Sequence, residues 1–229
     1  MKKQDVFFIV GAILIFAPFF LLSEVYDAYN QLNKNHGMLM SFFKFAILAT
    51  AGEAIGLRIK SGVYNQKGFG LLPRAVVWGF LGLAIKLAFV IFATGTPNFL
   101  KYMVFPEALA SMKQGFSYTK LLTAFSISFF MNLIFAPVMM TFHKITDTHI
   151  VANGGNLSCL LKRIPFSKIL REINWDVQWN FVFKKTIPFF WIPAHTITFL
   201  LPPDFQVLFA AILGIVLGVI LSIASLKAK

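Results

Sequence analysis

The stretch FQVLFAAILGIVLGVILSIAS, residues 205–225, decides the fold, because it contains no charged residue. A run of this length and polarity is typical of a helix that spans the hydrocarbon core of a bilayer, which is about 30 Å thick. Small residues recur in it at every fourth position, at Ala210, Gly214, Gly218 and Ser222. This stripe lets another helix approach closely, so it predicts either the interior of a helix bundle or the interface of a homo-oligomer.

The composition of the chain favours a membrane protein over a soluble one. Hydrophobic residues make up 58% of the 229 residues, charged residues only 13%, and phenylalanine occurs 28 times. A soluble protein of this size could not keep so much apolar surface from water. The net charge of +12 comes from basic residues between apolar runs, with no basic arm and no nucleic-acid-binding motif. We therefore predict the lipid bilayer as the partner of this chain, and no nucleic acid.

Five more apolar runs precede residues 205–225. We predict an all-α fold, a polytopic membrane helix bundle of about six transmembrane helices in a single domain over residues 1–229. The first run is long for a secretory signal and no small-x-small cleavage site follows it, so it is predicted to be a membrane helix kinked near Pro18. The six predicted spans are residues 6–23, 38–57, 72–95, 121–142, 182–201 and 205–225.

The distribution of basic residues predicts the orientation. If the amino terminus lies in the cytosol, most lysines and arginines fall on cytosolic flanks, and the positive-inside rule places both termini there. Abundant Phe, Ile, Lys and Asn, without an arginine-rich presequence, favours a bacterial cytoplasmic membrane. The opposite flanks contain only Lys34, Lys101, Lys113 and Lys120.

An amphipathic helix is predicted after Pro165, just before the fifth span. Its apolar positions recur at helical spacing, its charged positions occupy the other face, and tryptophans follow at its end. This pattern is typical of a helix that lies in the membrane interface. The apolar face comprises Phe166, Ile169, Leu170, Ile173 and Val177, and the charged face Lys168, Arg171, Glu172 and Asp176.

Ionisable residues inside the predicted spans are candidates for function. Glu53 shares a helix face with Ala46, Ala49, Thr50 and Gly56, which suits close helix packing, and Gly52 is a further predicted packing position. We predict that Glu53 pairs with Lys86 of the next span. Two interpretations stay open for this pair: part of a functional site, or a lock that only holds two helices together. Lys44, without an evident partner, is predicted to reach the outer interface or a water-filled cavity.

Two other spans carry polar residues. Asn132 is predicted to form hydrogen bonds between helices or to line a path. In the fifth span, the three prolines Pro188, Pro193 and Pro202 predict a broken helix, a feature that often marks a substrate path in transporters. If the helix is instead continuous, one polar face is predicted, with Lys184, Pro188, Trp191, His195, Thr198 and Pro202.

No pattern typical of an enzyme is present. The chain lacks a nucleophile elbow, a metalloprotease helix and a phosphate-binding loop, and its single Cys159 excludes an internal disulfide. His143, Asp147 and His149 could meet a divalent metal, but such residues are also ordinary in a polar loop and no fourth ligand is indicated. We predict neither an enzyme nor a bound metal or cofactor.

The fifth span resembles the signature of the peroxisomal and mitochondrial inner-membrane protein family, named for its 22-kDa peroxisomal member. That signature has Trp, Gln, Asn, Phe and Pro at fixed spacing. Here its five places are held by Trp191, His195, Thr198, Phe199 and Pro203, so that His replaces Gln and Thr replaces Asn. The arginine that usually follows the proline is absent, and Val207 stands near its place.

Shorter motifs of the same family occur in the same order. Gly52-Glu53 is similar to the family's Gly-Asp, Arg74 and Gly79 to its Arg and Gly, and Asn132 with Ala136-Pro137 to its Gln and Ala-Pro. The similarity covers residues 36–225 and leaves residues 6–23 as an addition. It implies a channel-like protein that lets small solutes pass, rather than an enzyme.

Two functions follow as hypotheses, and a third has little support. The first is a channel-like or transporter-like protein, whose excess of lysine at depth favours small anions or anionic metabolites. The second is a non-conducting scaffold whose polar residues only lock helices and whose small-residue stripe binds another protein. The third is an intramembrane enzyme that uses His143 and Asp147. The polar path of the first hypothesis comprises Glu53, Lys86, Asn132, His195, Thr198 and Lys44.

Overall fold

The computed structural model of the chain describes residues 2–103 and 105–227, without the side chains of residues 224, 225 and 227. Every regular element in this part is a helix, which confirms the predicted all-α class there. The elements are α1 (Lys3–Leu21), α2 (Ser23–Asn35), α3 (Gly37–Ser61), α4 (Leu71–Met103), α5 (Ala108–Ser111), α6 (Tyr118–Ala152), a 3-10 turn (Leu157–Leu161), α7 (Phe166–Glu172), α8 (Trp175–Val177), a π-helical segment (Gln178–Trp191), α9 (Ile192–Leu200) and α10 (Pro203–Lys227).

Five of the helices are long and apolar enough to cross a membrane: α1, α3, α4, α6 and α10. They contain or overlap five of the six predicted spans. All five are longer than predicted, and α4 and α6 exceed the prediction most, with 33 and 35 residues. Both extend past the apolar runs because a helix continues beyond the hydrocarbon wherever water can hydrate its side chains.

The remaining predicted span, the fifth along the chain at residues 182–201, consists of the π segment followed directly by α9. Pro188 lies inside the π segment and Pro193 in the first turn of α9, yet the chain stays helical through both. The expected break occurs only at Leu201, whose extended backbone ends α9 just before Pro202. The prediction of a helix broken by all three prolines is therefore wrong, because the wider π turns absorb the missing N–H group of Pro188.

The predicted amphipathic helix is two short helices, α7 and α8. Ile173, which ends α7, has an extended backbone and interrupts the helix. Ile169 and Ile173 are buried against Ile145 of α6. The apolar face of this segment therefore packs at least partly on the protein, which corrects the prediction of one continuous helix.

Helix α2 was not predicted, and it covers one end of the bundle. Asn33 of α2 donates a hydrogen bond to the carbonyl of Asp204 (3.2 Å) and accepts one from Lys44 Nζ (2.5 Å). The Lys44 ammonium also lies 5.1 Å from the ring centroid of Tyr29. These contacts join α2, α3 and the start of α10. We call this side of the molecule the Lys44 end.

The first helix is tied to the opposite side of the molecule, which we call the Lys60 end. Arg58, near the end of α3, makes two hydrogen bonds to the carboxylate of Asp5, at 2.8 and 2.9 Å. Tyr64 donates a third, and its ring stacks on Phe8 at 4.5 Å between centroids. None of the residues of α1 is fully buried, so these contacts at its start, with others near its end, attach it to the bundle.

The small-residue stripe of α10 faces α3 within the same chain. A Cβ atom added at Gly52 would lie 2.9 Å from the Cα atom of Ile215, and one added at Gly218 would lie 3.3 Å from the Gly52 carbonyl oxygen. A Cβ atom at Gly56 would lie 2.9 Å from Ser222 Oγ. Glycine permits this close approach of two helices. The stripe therefore packs inside the bundle. A homo-oligomer remains a prediction, but this stripe would not form its interface.

Gly52→Ala is expected to destabilise the protein by about 1–3 kcal/mol, because the added methyl group would meet helix backbone and push α3 and α10 apart. Gly214→Ala is the matched control. No atom lies within 4 Å of a Cβ atom built there, so its effect is expected to stay within about 0.5 kcal/mol. Denaturant titrations in detergent micelles, followed by circular dichroism, compare the two. Equal stabilities of the two variants would contradict the packing described here.

Candidate functional site

A cavity of about 510 Å³ lies between α3, α4, α6, the π segment and α10. Its volume falls within the range of about 300–1,000 Å³ that is usual for sites of small molecules. On α3 its lining extends from Lys60 to Phe45, a rise of about 22 Å at 1.5 Å per residue. The cavity therefore begins at the Lys60 end and reaches the middle of the bundle.

Charged residues surround the mouth of the cavity. Glu53 accepts hydrogen bonds from Arg74 (2.5 Å) and from the indole of Trp78 (2.8 Å), and its other contact is His143 Nε2 at 2.9 Å. Arg74 also forms an ion pair with Asp147 and donates to the carbonyl of Phe69. One guanidinium thus bridges two carboxylates from different helices, an arrangement that suits the planar fork of arginine.

The predicted pair of Glu53 with Lys86 is wrong. Glu53 lies near the end of its span and Arg74 near the start of the next, so the two antiparallel helices bring them to the same depth. Lys86 lies twelve residues further along α4, on the Lys44 side, near Gly37. The depth of each residue along its helix could have identified Arg74 as the partner of Glu53. The Lys86 side chain is too short to span its difference in depth from Glu53.

The deep part of the cavity holds a smaller polar group. The Asn132 side chain lies 3.1 Å from His195 Nδ1 and donates to the carbonyl of Ser128 at 2.8 Å. Trp191 stacks on the His195 ring at 5.0 Å between centroids. The indole N–H of Trp191 is buried and has no acceptor among the residues that the structure describes. A buried donor without an acceptor is costly, so this N–H is available to a ligand oxygen or to water.

The cavity ends below a tightly packed apolar cluster toward the Lys44 end. Phe199 in this cluster is only 1% exposed, and its ring lies 5.0 Å from that of Phe89. Ile127 and Ala124 of α6 are fully buried in the same cluster. Side chains at this density leave no space for a solute. The exposed lining residues Lys60 and Lys144 place the mouth of the cavity at the Lys60 end, and the buried cluster closes the other side.

Three of the six predicted path residues line this cavity: Glu53, Asn132 and His195. The other three do not, which corrects the predicted path. Lys44 and Lys86 lie beside each other at the Lys44 end, and Thr198 is buried and donates to the carbonyl of Ala194. Thr198 lies one turn beyond His195 on α9, next to Phe199, and thus beyond the deep end of the cavity.

The residues of the family-like signature serve different structural roles. Trp191 and His195 line the cavity, Phe199 closes it, and Pro203 begins α10. Pro137 lies inside α6, where its carbonyl accepts a hydrogen bond from Thr141. Gly79 lies under the ring of Phe42, a contact that a larger residue would permit only if the ring moved.

The histidines considered as metal ligands have other partners. His143 contacts Glu53, Asp147 pairs with Arg74, and His149 Nε2 lies 3.0 Å from the carbonyl oxygen of Cys159. No cluster of three His, Cys, Asp or Glu side chains suited to a metal occurs in residues 2–103 and 105–227.

Comparison of this chain with protein-family models, with characterised proteins and with solved structures finds no match.

Proposed function

We propose that this chain is a channel-like or transporter-like membrane protein through which small anionic solutes pass. The observation that carries the proposal is the cavity of about 510 Å³, which is open at the Lys60 end and closed by the Phe89–Phe199 cluster. A cavity that reaches the middle of a bundle and stops at a packed gate is the form expected of a pathway open to one side only.

The charge at the mouth supports an anionic solute. Three cations line the cavity, Lys60, Arg74 and Lys144, against the two anions Glu53 and Asp147. Arg74 is shared between the two carboxylates, whereas neither lysine has an ion-pair partner among the described residues. Free positive charge at a narrow mouth raises the local concentration of anions.

In this proposal the π segment and α9 together form the fifth of six transmembrane spans, with both termini and the cavity mouth in the cytosol. The basic flanks Arg58, Lys60, Lys144 and Lys162 support this orientation through the positive-inside rule. The proposed membrane is a bacterial cytoplasmic membrane. We further propose that the chain is a relative of the 22-kDa peroxisomal membrane protein family, on the order of the motifs described above.

A variant that fills the cavity tests the proposal. Gly214 lines the cavity and has no atom within 4 Å of an added Cβ, so Gly214→Trp is expected to place its indole in the cavity and block the pathway, and size-exclusion chromatography checks that the variant folds. Gly95→Trp is the control, since Gly95 has equally open surroundings and does not line the cavity. The measurement is efflux of anionic and neutral solutes from proteoliposomes.

Flux that exceeds that of empty vesicles, is lost in Gly214→Trp and is kept in Gly95→Trp supports the proposal. Lys86→Met is expected to leave anion selectivity unchanged, because Lys86 does not line the cavity. The absence of flux in the wild-type protein would contradict permeation.

The scaffold function is the second candidate, and one observation favours it. Both carboxylate oxygens of Glu53 have partners on neighbouring helices: Arg74, Trp78 and His143. Such a network can serve only to hold α3, α4 and α6 together. A folded wild-type protein that shows no flux, and that recovers a specific partner from membranes, would favour this function.

A further inference from the structure

One seam of the helix bundle is loosely packed in its Lys60 half. Helices α3, α4 and α6 pack on one another in sequence, and α10 packs on α3. The π segment packs on α6 and α9 but has at most marginal contact with α10. Helices α9 and α10 meet only nearer the Lys44 end. The cavity is therefore bordered there by a seam with few backbone contacts between the π segment and α10, which we call the gap.

The walls beside this gap are apolar. Phe181 and Val182 of the π segment line the cavity on one side, and Leu217 and Leu221 of α10 line it on the other. Phe135, Met139 and Met140 of α6 continue the apolar wall toward the deep part. Flexible methionine side chains adapt to chains of different shape. Walls of this kind bind hydrocarbon better than a hydrated ion.

The two lysines at the mouth supply the other half of a binding site. Lys60 on α3 and Lys144 on α6 line the cavity, lie exposed at its Lys60 end and have no acidic partner in the described part of the chain. Lysines at the level of lipid head groups attract phosphate and carboxylate groups. The cationic mouth of the cavity and its long, largely apolar interior together match a molecule with an anionic head group and one hydrocarbon tail.

We infer that the cavity binds a single-chain amphiphile with an anionic head group, which enters from the adjoining leaflet through the gap between the π segment and α10. Its head group contacts Lys60 and Lys144, and its tail reaches toward Trp191. This inference deepens the proposed function and rests on the same cavity, because it names the class of molecule that would use the pathway. A free fatty acid and an alkyl phosphate share this chemistry.

Tryptophan fluorescence offers a direct test, since Trp78 and Trp191 line the cavity and Trp175 and Trp179 do not. The experiment uses the full chain with Trp175→Phe and Trp179→Phe, purified in a neutral detergent. Stearate brominated at its terminal carbon is the probe, because bromine quenches only nearby indoles. We expect saturable quenching, most of which disappears when Trp191→Phe is added.

Head-group dependence separates the proposed site from general partitioning into the micelle. Hexadecanoate and hexadecyl phosphate are expected to compete with the probe, and their relative strength shows which head group fits better. Hexadecanol, which lacks the charge, is expected to compete at least about ten-fold more weakly. The double variant Lys60→Gln with Lys144→Gln is expected to weaken binding of the probe by about ten-fold or more. Lys67→Gln with Lys162→Gln, two exposed lysines outside the cavity, is the matched control.

The outcomes of this experiment test binding of the amphiphile independently of the proposed solute permeation. Equal competition by hexadecanol, or quenching unchanged in the Lys60/Lys144 variant, would overturn the inference even if small solutes cross the vesicle membrane. Saturable quenching that depends on both lysines, in a protein that shows no flux, would support the inference and contradict permeation. Size-exclusion chromatography is the check that the lysine variants remain folded.

Discussion

Arg74→Met is expected to lower the free energy of unfolding by about 3 kcal/mol or more. The Arg74 side chain is only 9% exposed and pairs with both Glu53 and Asp147, so its removal leaves two carboxylates without their cation. The loss exceeds the net value of the ion pairs themselves, because an uncompensated charge in low dielectric is the larger cost. Denaturant titration in mixed micelles measures it.

Two variants make this result specific. Arg171→Met is the matched control, since Arg171 is exposed on α7, and its effect is expected to stay within about 0.5 kcal/mol. Arg74→Lys is expected to recover only part of the loss, because an ammonium group cannot reach both carboxylates with a planar fork. If Arg74→Met and Arg171→Met were equally stable, the bridging role of Arg74 would be wrong.

Phe199→Ala is expected to raise solute flux in proteoliposomes by about ten-fold or more, which corresponds to a barrier lower by about 1.4 kcal/mol. The Phe199 ring is 1% exposed and packs on Phe89 above the deep end of the cavity. Removal of the ring leaves a void that joins the cavity to the region beyond it. The measurement is the initial rate of anion efflux at constant protein density.

Two further variants distinguish an opened gate from a damaged fold. Phe199→Leu keeps most of the volume and is expected to stay closed. Phe189→Ala removes the same ring from a position that is 80% exposed, so it is expected to leave flux unchanged. Because Phe199→Ala also costs about 3–5 kcal/mol of stability, its monodispersity is checked first. A folded variant with wild-type flux would contradict the proposed gate.

Only part of the candidate site could be predicted from the sequence. Glu53, Asn132 and His195 were identified because a polar group in an apolar run needs a partner, and this requirement holds whatever the fold. Arg74 was noted only as a motif residue, although its depth matches that of Glu53. Nothing in the sequence marked Lys60 and Lys144 as residues of the site, because basic residues are ordinary at the ends of membrane helices.

The sequence by itself determined that the chain is helical and has segments long and apolar enough to cross a membrane. Hydrophobicity is a local property, so residues 205–225 require burial in hydrocarbon in any arrangement of the other helices. Tertiary structure alone decided the partners: Gly218 faces Gly52, and Glu53 pairs with Arg74. These choices depend on the depth and rotation of each helix, which are set by packing against neighbours rather than by any single segment.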